Sequence, residues 1–387
     1  MRVLPSSKAS NVYRLSSSKQ VKFSFSTFSN SAVMYFKDIT IDNFRGIDHL
    51  EVKEFAPINI FVGGNNAGKT SILEAILLLS GMSNLPLSIT INRMRGISNS
   101  QQQECMRYLF HNISLDKEIS IKSITKGGGR SLRIAPKFKH TEADIQDDFT
   151  PRSTKTNPQR LIEGLVAVYG NEGKPLCQSE LLLRENSFKF VPQGDYEEVV
   201  LCTFLSPVLR VSDSTQKELD SLIREKRKDE VVSYLKLFDS KVVDLESTSS
   251  GILVAIDDLK ELLPLEMMGD GISKYLNVLT SALVMEEVSK VLLIDEFENG
   301  LHYTTQRKLW RILLKVVEQT GLQLFITTHS IETLQSLADE IGEAGFDDDF
   351  MSLYRVAATK SNTLRAYRYN AAGVRTAIEN ETELRRW

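Results

Sequence analysis

The segment IFVGGNNAGKTSILEAILLLSG, residues 60–81, constrains the fold of this chain more than any other. It contains the pattern G-x-x-x-x-G-K-[ST] as GGNNAGKT, between the apolar strand-like INIFV and the apolar helix-like SILEAILLLSG. Such a strand, loop and helix bind phosphate, because glycines let backbone N–H groups approach the oxygens and the helix N-terminus adds positive potential. The sequence therefore predicts a phosphate-binding loop.

The chemistry of this loop assigns a role to its last residues. We expect Lys69 to reach the β and γ phosphates of a nucleotide and the Thr70 hydroxyl to ligate Mg²⁺. The residues expected to contact the nucleotide are Gly63, Gly64, Asn65, Asn66, Ala67, Gly68, Lys69, Thr70 and Ser71. The loop alone does not define the class of protein, because kinases, GTPases, helicases and transporters all use it.

A second motif, which is acidic, supplies the metal-binding side chain that the phosphate-binding loop needs. The apolar strand VLLIDE ends in Asp295, which is expected to hold Mg²⁺, and Glu296, which is expected to orient or deprotonate the attacking water. Asp295 follows Lys69 by more than 200 residues, and no N-K-x-D guanine motif is present. Both observations argue against most GTPases.

Two further elements bracket the Asp-Glu pair. The segment MGDGISKYLNVLTSAL reads as a helix, and Gly271 at its start is expected to present N–H groups to an anion. Downstream, ITTHS puts His329 at the end of another buried strand. Alone, His329 reads as an ordinary strand-end histidine; together with the other elements it is expected to sense the γ-phosphate.

The order of these motifs resembles the ATP-binding-cassette (ABC) class of ATPases, and within it the branch of chromosome-maintenance (SMC), recombination-mediator (RecF) and OLD (overcoming lysogenization defect) proteins. The chain is most similar to stand-alone bacterial AAA-type ATPases related to OLD that lack its Toprim nuclease domain. The segments that carry the resemblance are IDNFRGI, FVGGNNAGKTSILEAI, LPLEMMGDGI, LLIDEFENGLH and TTHS.

This resemblance implies that ATP and Mg²⁺ bind between two protomers, with Gly271 of one copy facing the loop of the other. It implies a homodimer or higher homo-oligomer that switches a protein partner, with phage defence or toxin control as a typical role. His302 in ENGLH is a candidate contact to the second protomer. Arg45 in NFRGI is a candidate nucleotide contact, or else a surface turn residue.

Two parts of the family pattern are poorly matched. Transport-type cassettes have a serine and two glycines where this chain has Gly269, Asp270 and Gly271, so the serine contact to the γ-phosphate is either absent or supplied by Ser273. The glutamine of the Q-loop is not assigned. Its candidates are Gln101, Gln102 and Gln103 in a segment that equally reads as a polar loop.

The predicted fold class is α/β: a P-loop NTPase of the ABC ATPase head type, with a mixed central sheet, an antiparallel β subdomain and a helical lobe. Alternating strands are expected over 118–192, and one charged helix over 214–238. We expect residues 34–200 to form the first lobe, 201–285 the helical lobe with the Gly271 helix, and 286–387 the Asp-Glu and His329 strands.

The first 33 residues are serine-rich and carry only basic charges. Such a segment is typical of an organellar transit peptide, a disordered tail or translation from an upstream start codon. Met34, directly before the first convincing strand, favours the last two. Residues 1–33 are therefore predicted to be a disordered extension, either a native tail or the product of a mis-assigned start.

Composition limits the alternatives. The formal net charge of -3 gives no indication of a basic DNA-binding surface. A DNA-repair ATPase that binds duplex DNA is therefore the second hypothesis and not the first. A nuclease would need metal ligands, and the acidic run 347–349 reads instead as a surface loop. The missing transport-type signature argues against a transporter subunit. Three scattered cysteines and no long apolar run predict a cytoplasmic protein without a membrane span.

Overall fold

The computed structural model describes residues 12–14, 35–97, 102–139, 161–184, 187–207, 213–284, 290–359 and 363–380. Within these residues the chain forms seventeen strands and nine α-helices. Of the predicted N-terminal extension only Val12–Arg14 is described, as a short strand, and the rest of that prediction lies outside the described residues. No described helix is both long and apolar enough to cross a lipid bilayer.

The strands, in chain order, are β1 (Val12–Arg14), β2 (Ile39–Phe44), β3 (Ile47–Val52), β4 (Ile58–Val62), β5 (Ile119–Thr125), β6 (Gly128–Phe138), β7 (Ile162–Asn171), β8 (Cys177–Leu183), β9 (Phe188–Gln193), β10 (Leu201–Leu205), β11 (Val242–Thr248), β12 (Gly251–Ile256), β13 (Leu263–Pro264), β14 (Lys290–Ile294), β15 (Gln323–Thr327), β16 (Met351–Ala358) and β17 (Leu364–Tyr369). The helices are α1 (Lys69–Ser80), α2 (Leu87–Met94), α3 (Gln102–Arg107), α4 (Asp213–Arg224), α5 (Lys228–Phe238), α6 (Asp270–Val284), α7 (Tyr303–Thr320), α8 (Ile331–Glu343) and α9 (Ala371–Glu379).

The central sheet has the strand order β1-β10-β14-β15-β4-β16-β17. Its five inner strands run parallel, and the two edge strands run antiparallel to their neighbours. Every residue of β4, β14 and β15 is buried, as expected for apolar strands covered on both faces. Because β15 lies between β4 and β14, the carboxyl ends of all three strands meet at one edge.

The second seven-stranded sheet is antiparallel throughout, in the order β3-β2-β5-β6-β7-β8-β9. The alternating strands predicted over 118–192 are thereby confirmed wherever the structure describes that segment. Helix α1 lies between the two sheets: Ile72 and Ile76 share one apolar core with Ile121 of the antiparallel sheet and Leu293 of the central sheet. This position explains why α1 is apolar on nearly every side.

The opposite face of the central sheet is covered by helices. Leu276 of α6, Leu313 of α7 and Leu337 of α8 share a second apolar core with Ile60 of β4 and Leu292 of β14. Beside them, β11, β12 and β13 form a small antiparallel sheet. The mixed central sheet, the antiparallel β subdomain and the helical lobe are all present, so the predicted α/β fold class is confirmed.

The prediction of one charged helix over 214–238 is wrong, because the structure breaks it into α4 and α5. Lys226 between them has a φ of 62°, in the left-handed region that a helix does not contain. Two basic residues at the break pair locally, Arg227 with Glu230 at 2.8 Å and Lys228 with Asp244 at 2.9 Å. Local ion pairs therefore engage two of the basic residues between 224 and 228.

Arg130 of β6 joins the antiparallel sheet to the carboxyl end of α1. Its buried guanidinium donates to the backbone carbonyls of Leu79 and Ser80, at 2.7 and 2.8 Å, and pairs with Glu198 at 2.5 Å. Helix carbonyls at a C-terminus lack partners within the helix, so this contact also satisfies two of them. Helix α1 is thus anchored at the end far from the phosphate-binding loop.

We expect Arg130→Met to lower the free energy of unfolding by about 3 kcal/mol, because it leaves the largely buried carboxylate of Glu198 and two helix carbonyls without their partner. The matched control is Arg133→Met on the same strand, whose half-exposed side chain pairs with Glu118 at 3.5 Å. That change should cost less than about 1 kcal/mol. Chemical denaturation measures both values, and equal losses would contradict the anchoring role of Arg130.

Candidate functional site

The phosphate-binding loop connects β4 to α1 and requires glycine at both ends. A Cβ atom at Gly63, where φ is 150°, would lie 2.3 Å from the carbonyl oxygen of Val356 on β16. Gly68 precedes the helix with a φ of 84°, and within the described residues no side chain caps the first turn. The N–H groups of this turn are therefore available to an anion.

The side chain of Lys69 folds back over the loop. Its ammonium donates to the carbonyl oxygens of Gly63 and Gly64, each at 2.9 Å. Burial lowers the pKa of Lys69, and neighbouring carboxylates, Asp295 foremost, oppose that shift. The Lys69 ammonium thus lies on the loop, beside the uncapped N-terminus of α1.

Thr70 and Asp295 meet at the edge where β4 and β14 end. The Thr70 hydroxyl donates to the carboxylate of Asp295, 3.1 Å from each oxygen. Thr327, at the end of β15 between the two strands, donates to the same carboxylate at 2.5 Å. Burial raises the pKa of Asp295, and these two hydrogen bonds act in the opposite direction.

The donor set at this edge fits Mg²⁺ bound together with a nucleotide. A hydroxyl and a carboxylate are oxygen ligands, and Mg²⁺ takes one or two protein oxygens and completes its shell with phosphate oxygens and water. The described residues contain no group of three or more His, Cys, Asp or Glu side chains around one metal position. Thr70 and Asp295 would therefore hold the metal only with phosphate oxygens.

Glu296 follows Asp295 in a constrained loop. Its φ is 50°, and its backbone N–H donates to the Thr327 hydroxyl at 2.8 Å. Its side chain is partly exposed and accepts a hydrogen bond from the Asn299 amide at 2.6 Å. Its backbone carbonyl accepts one from the Lys274 ammonium, also at 2.6 Å. Both the peptide and the carboxylate of Glu296 are thus held by neighbouring residues.

His329 lies just beyond β15, and its backbone is tied to a second acid, Glu298. The N–H of His329 donates to one carboxylate oxygen of Glu298 at 2.6 Å, and the Thr328 hydroxyl donates to the other at 2.7 Å. The imidazole is partly exposed. Sequence reasoning missed Glu298, although a third acid in DEFEN, just after a strand, was a usable signal.

Gly271, at the start of α6, packs against the loop after β14 in its own chain. A Cβ atom built there would lie 2.5 Å from the carbonyl oxygen of Gly300, so the contact requires glycine. The other nearest side chain is Phe238, and none of the three nearest atoms belongs to the phosphate loop. Ser273 donates to the carbonyl of Gly269 at 3.3 Å, within the same helix start.

Arg45 does not lie on the surface. Its side chain is 7% exposed and pairs with Glu74 of α1 at 2.5 Å, so the surface-turn alternative is wrong. Arg95 binds the same carboxylate at 2.7 Å and also donates to the Ser71 hydroxyl at 3.3 Å. Sequence reasoning missed Arg95 and Glu74, although an acid four residues after Thr70 in an apolar helix was a usable signal.

The remaining candidates lie apart from these contacts. His302 is exposed before α7, with its ring nitrogen Nδ1 3.0 Å from the hydroxyl of Thr304. Gln101 lies outside the described residues, and Gln102 and Gln103 belong to the first turn of α3. The Q-loop glutamine therefore stays unassigned.

The acidic run 347–349 is engaged in local structure. Asp348 pairs with Arg375 of α9 at 2.5 Å, and Asp349 pairs with Arg368 of β17 at 2.8 Å. Asp347 caps the short 3₁₀-helix Asp348–Phe350 by accepting from the Asp349 N–H. The three carboxylates therefore have a structural role, because their ion pairs and cap hold β17, α9 and the short 3₁₀-helix in place.

Residues 58–335, most of the chain, match the family described as "AAA domain, putative AbiEii toxin, Type IV TA system". The chain belongs to this family. It is 26% identical over 338 residues to an "ATP/GTP phosphatase" of Helicobacter pylori (strain ATCC 700392 / 26695), an alignment that covers 80% of this chain and 89% of that protein.

Two other similarities are more limited. "DNA replication and repair protein RecF" of Clostridium acetobutylicum is 36% identical over 102 residues, 26% of this chain and 27% of that protein. The chain thus matches about a quarter of RecF. Among solved structures, an SMC head bound to the C-winged helix domain of ScpA aligns with a TM-score of 0.47 and 10% identity, covering 87% of this chain and 98% of that one.

Proposed function

We propose that this chain binds ATP with Mg²⁺ at the phosphate loop and hydrolyses it to ADP and phosphate. The observation that carries the proposal is the direct contact of Thr70 with Asp295, beside the Lys69 ammonium and the uncapped start of α1. Two motifs more than 200 residues apart in sequence thereby meet at one place, where Mg²⁺ and phosphate would bind. The name of the Helicobacter pylori relative supports the same chemistry.

Each residue has a role in this reaction. Lys69 and the first-turn N–H groups of α1 would bind the β and γ phosphates, and Thr70 with Asp295 would hold the metal. Mg²⁺, when bound, neutralises charge on the phosphates. Glu296 orients a water molecule and accepts its proton, while the water oxygen bonds to the γ-phosphorus and the bond to the bridging oxygen breaks. His329 is proposed to contact the γ-phosphate.

We further propose that two protomers close around ATP, with Gly271 of one facing the phosphate loop of the other. The placement of Gly271 against Gly300 supports this, because the three atoms nearest a Cβ built at Gly271 belong to Gly300 and Phe238 and not to the phosphate loop of the same chain. The cycle of closure and opening would switch a partner protein, with phage defence as the setting. The family description, which names a putative toxin of a type IV system, supports an output of this kind.

The runner-up is a DNA-repair ATPase that itself binds duplex DNA, which the local similarity to RecF favours. Electrostatic contacts to phosphates dominate such binding and make it salt-dependent. A net charge of -3 supplies no global attraction for DNA. If this second function is correct, duplex DNA should stimulate hydrolysis at low salt and lose its effect as salt rises; for a protein-switching ATPase we expect no stimulation.

The test of the proposed function is phosphate release by the purified full-length chain. We expect release from ATP that requires Mg²⁺ and stops when EDTA removes the metal, because Thr70 and Asp295 would then lack the ion that bridges them to the phosphates. Light scattering should show twice the chain mass in a non-hydrolysable ATP analogue. Phosphate release no faster than in protein-free solution would reject hydrolysis, and an unchanged mass would reject closure.

A further inference from the structure

Lys274 is a buried lysine to which the proposed reaction assigns no role. Its side chain belongs to α6, one turn after Gly271, and the residue is 3% exposed. Its ammonium donates at 2.6 Å to the backbone carbonyl of Glu296 and experiences the charges of Glu298, Glu296 and Asp295. A buried ammonium is retained only where charged and polar partners compensate its lost hydration.

The loop after β14 is therefore attached to α6 at two points. Near its start, Lys274 binds the Glu296 carbonyl; near its end, Gly300 packs so closely on Gly271 that a Cβ atom would collide. The first attachment is the carbonyl of Glu296 itself, and this residue has a left-handed φ of 50°. Such a backbone conformation persists only where surrounding contacts hold it.

We propose that Lys274 is a positioning residue that ties the Glu296 peptide to α6, so that the catalytic carboxylate follows the position of the Gly271 helix. This inference rests on the proposed function and deepens it. When the start of α6 engages the nucleotide of the second protomer, Lys274 carries that displacement to Glu296 of its own chain. Hydrolysis at one site would then depend on ATP at the other.

Lys274 acts by positioning the Glu296 carboxylate and not by binding the substrate. A carboxylate displaced by about 1 Å from its productive position loses about 100-fold in rate. The nucleotide itself is held elsewhere, by the phosphate loop around Lys69. Loss of the Lys274 contact should therefore lower kcat and spare ATP affinity.

The experiment is Lys274→Met in the full-length chain, which removes the ammonium at similar side-chain volume. We expect kcat for ATP hydrolysis to fall about 10- to 100-fold, with KM for ATP changed by less than about threefold. Lys274→Arg, which restores a cationic donor, should recover part of the lost kcat. Circular dichroism and thermal unfolding establish that each variant is folded.

The matched control is Tyr275→Phe, the next residue of α6, whose hydroxyl donates to the carbonyl of Tyr234 at 3.0 Å. This change removes one buried hydrogen bond of the same helix without touching the Glu296 loop, and kcat should stay within about twofold. A wild-type kcat in Lys274→Met, or an equal loss in Tyr275→Phe, overturns the inference.

A failure of the inference is distinguishable from a failure of the proposed function. If the wild-type chain releases no phosphate from ATP, the proposed function fails. If the wild-type chain hydrolyses ATP and Lys274→Met does so equally well, only the inference fails. Should Lys274→Met not fold, Lys274→Gln decides, since its side chain is too short to reach the same carbonyl: unchanged kcat in that variant also overturns the inference.

Discussion

Replacing Glu296 by glutamine is expected to lower kcat for ATP hydrolysis by about 100-fold or more and to trap an ATP-dependent dimer. The amide cannot accept the proton of the attacking water, and general-base catalysis contributes about 10²–10⁴ to such reactions. The change is nearly isosteric, and the peptide stays held by Thr327 and Lys274. ATP should therefore bind and close the two protomers, and hydrolysis should not reopen them.

Two measurements check this result: single-turnover phosphate release, and light scattering with saturating ATP and Mg²⁺. Glu318→Gln is the matched control, because Glu318 is exposed on α7 and outside the site; it should hydrolyse ATP like the wild type. If Glu296→Gln keeps wild-type turnover, Glu296 is not the base. If the variant stays monomeric in saturating ATP, the two-protomer mechanism is wrong.

The parts of the fold that sequence predicted are those that local pattern determines. The strand, loop and helix around Lys69 follow from apolar periodicity and glycine spacing. Gly321 ends α7 with a φ of 67°, the left-handed conformation in which glycine commonly ends a helix. The break at Lys226 was missed because the charged residues there are good helix formers. Packing of α4 and α5 against other elements overrides that local preference.

The contacts that organise the site were out of reach of sequence for a different reason. Thr327 bonds to Asp295 because β15 lies between β4 and β14, and strand order is not encoded in any single segment. The same order brings Glu298 to the backbone of His329. Motifs identified Asp295 and His329, whereas the residues that hold them become visible only when the sheet is assembled.

The buried ion pair of Arg45 could not be predicted from sequence either. A turn spelled NFRGI reads equally as a surface loop or a ligand contact, because arginine suits both. The structure puts its guanidinium on Glu74, which also receives Arg95. The carboxylate lies one turn beyond Thr70 on α1, so two cations stabilise the phosphate-loop helix at its nucleotide end.

Replacing Lys69 by alanine is expected to weaken ATP binding by about 100-fold, a loss of about 3 kcal/mol. The ammonium would make charge-assisted hydrogen bonds to phosphate oxygens, each contributing about 1.5–3 kcal/mol. Within the described part of the chain the hydrogen bonds of this ammonium go to Gly63 and Gly64 of its own loop, so the fold itself should lose little. Titration with a fluorescent ATP analogue measures the change in Kd.

Lys308→Ala is the matched control for that titration, because Lys308 also donates to a backbone carbonyl, that of Leu237 at 2.6 Å, but lies on α7. Its affinity for ATP should equal that of the wild type. A ligand that binds only the folded state raises the unfolding temperature, so ATP should stabilise Lys308→Ala and not Lys69→Ala. Equal stabilisation of both variants would mean that ATP binds somewhere other than the loop between β4 and α1.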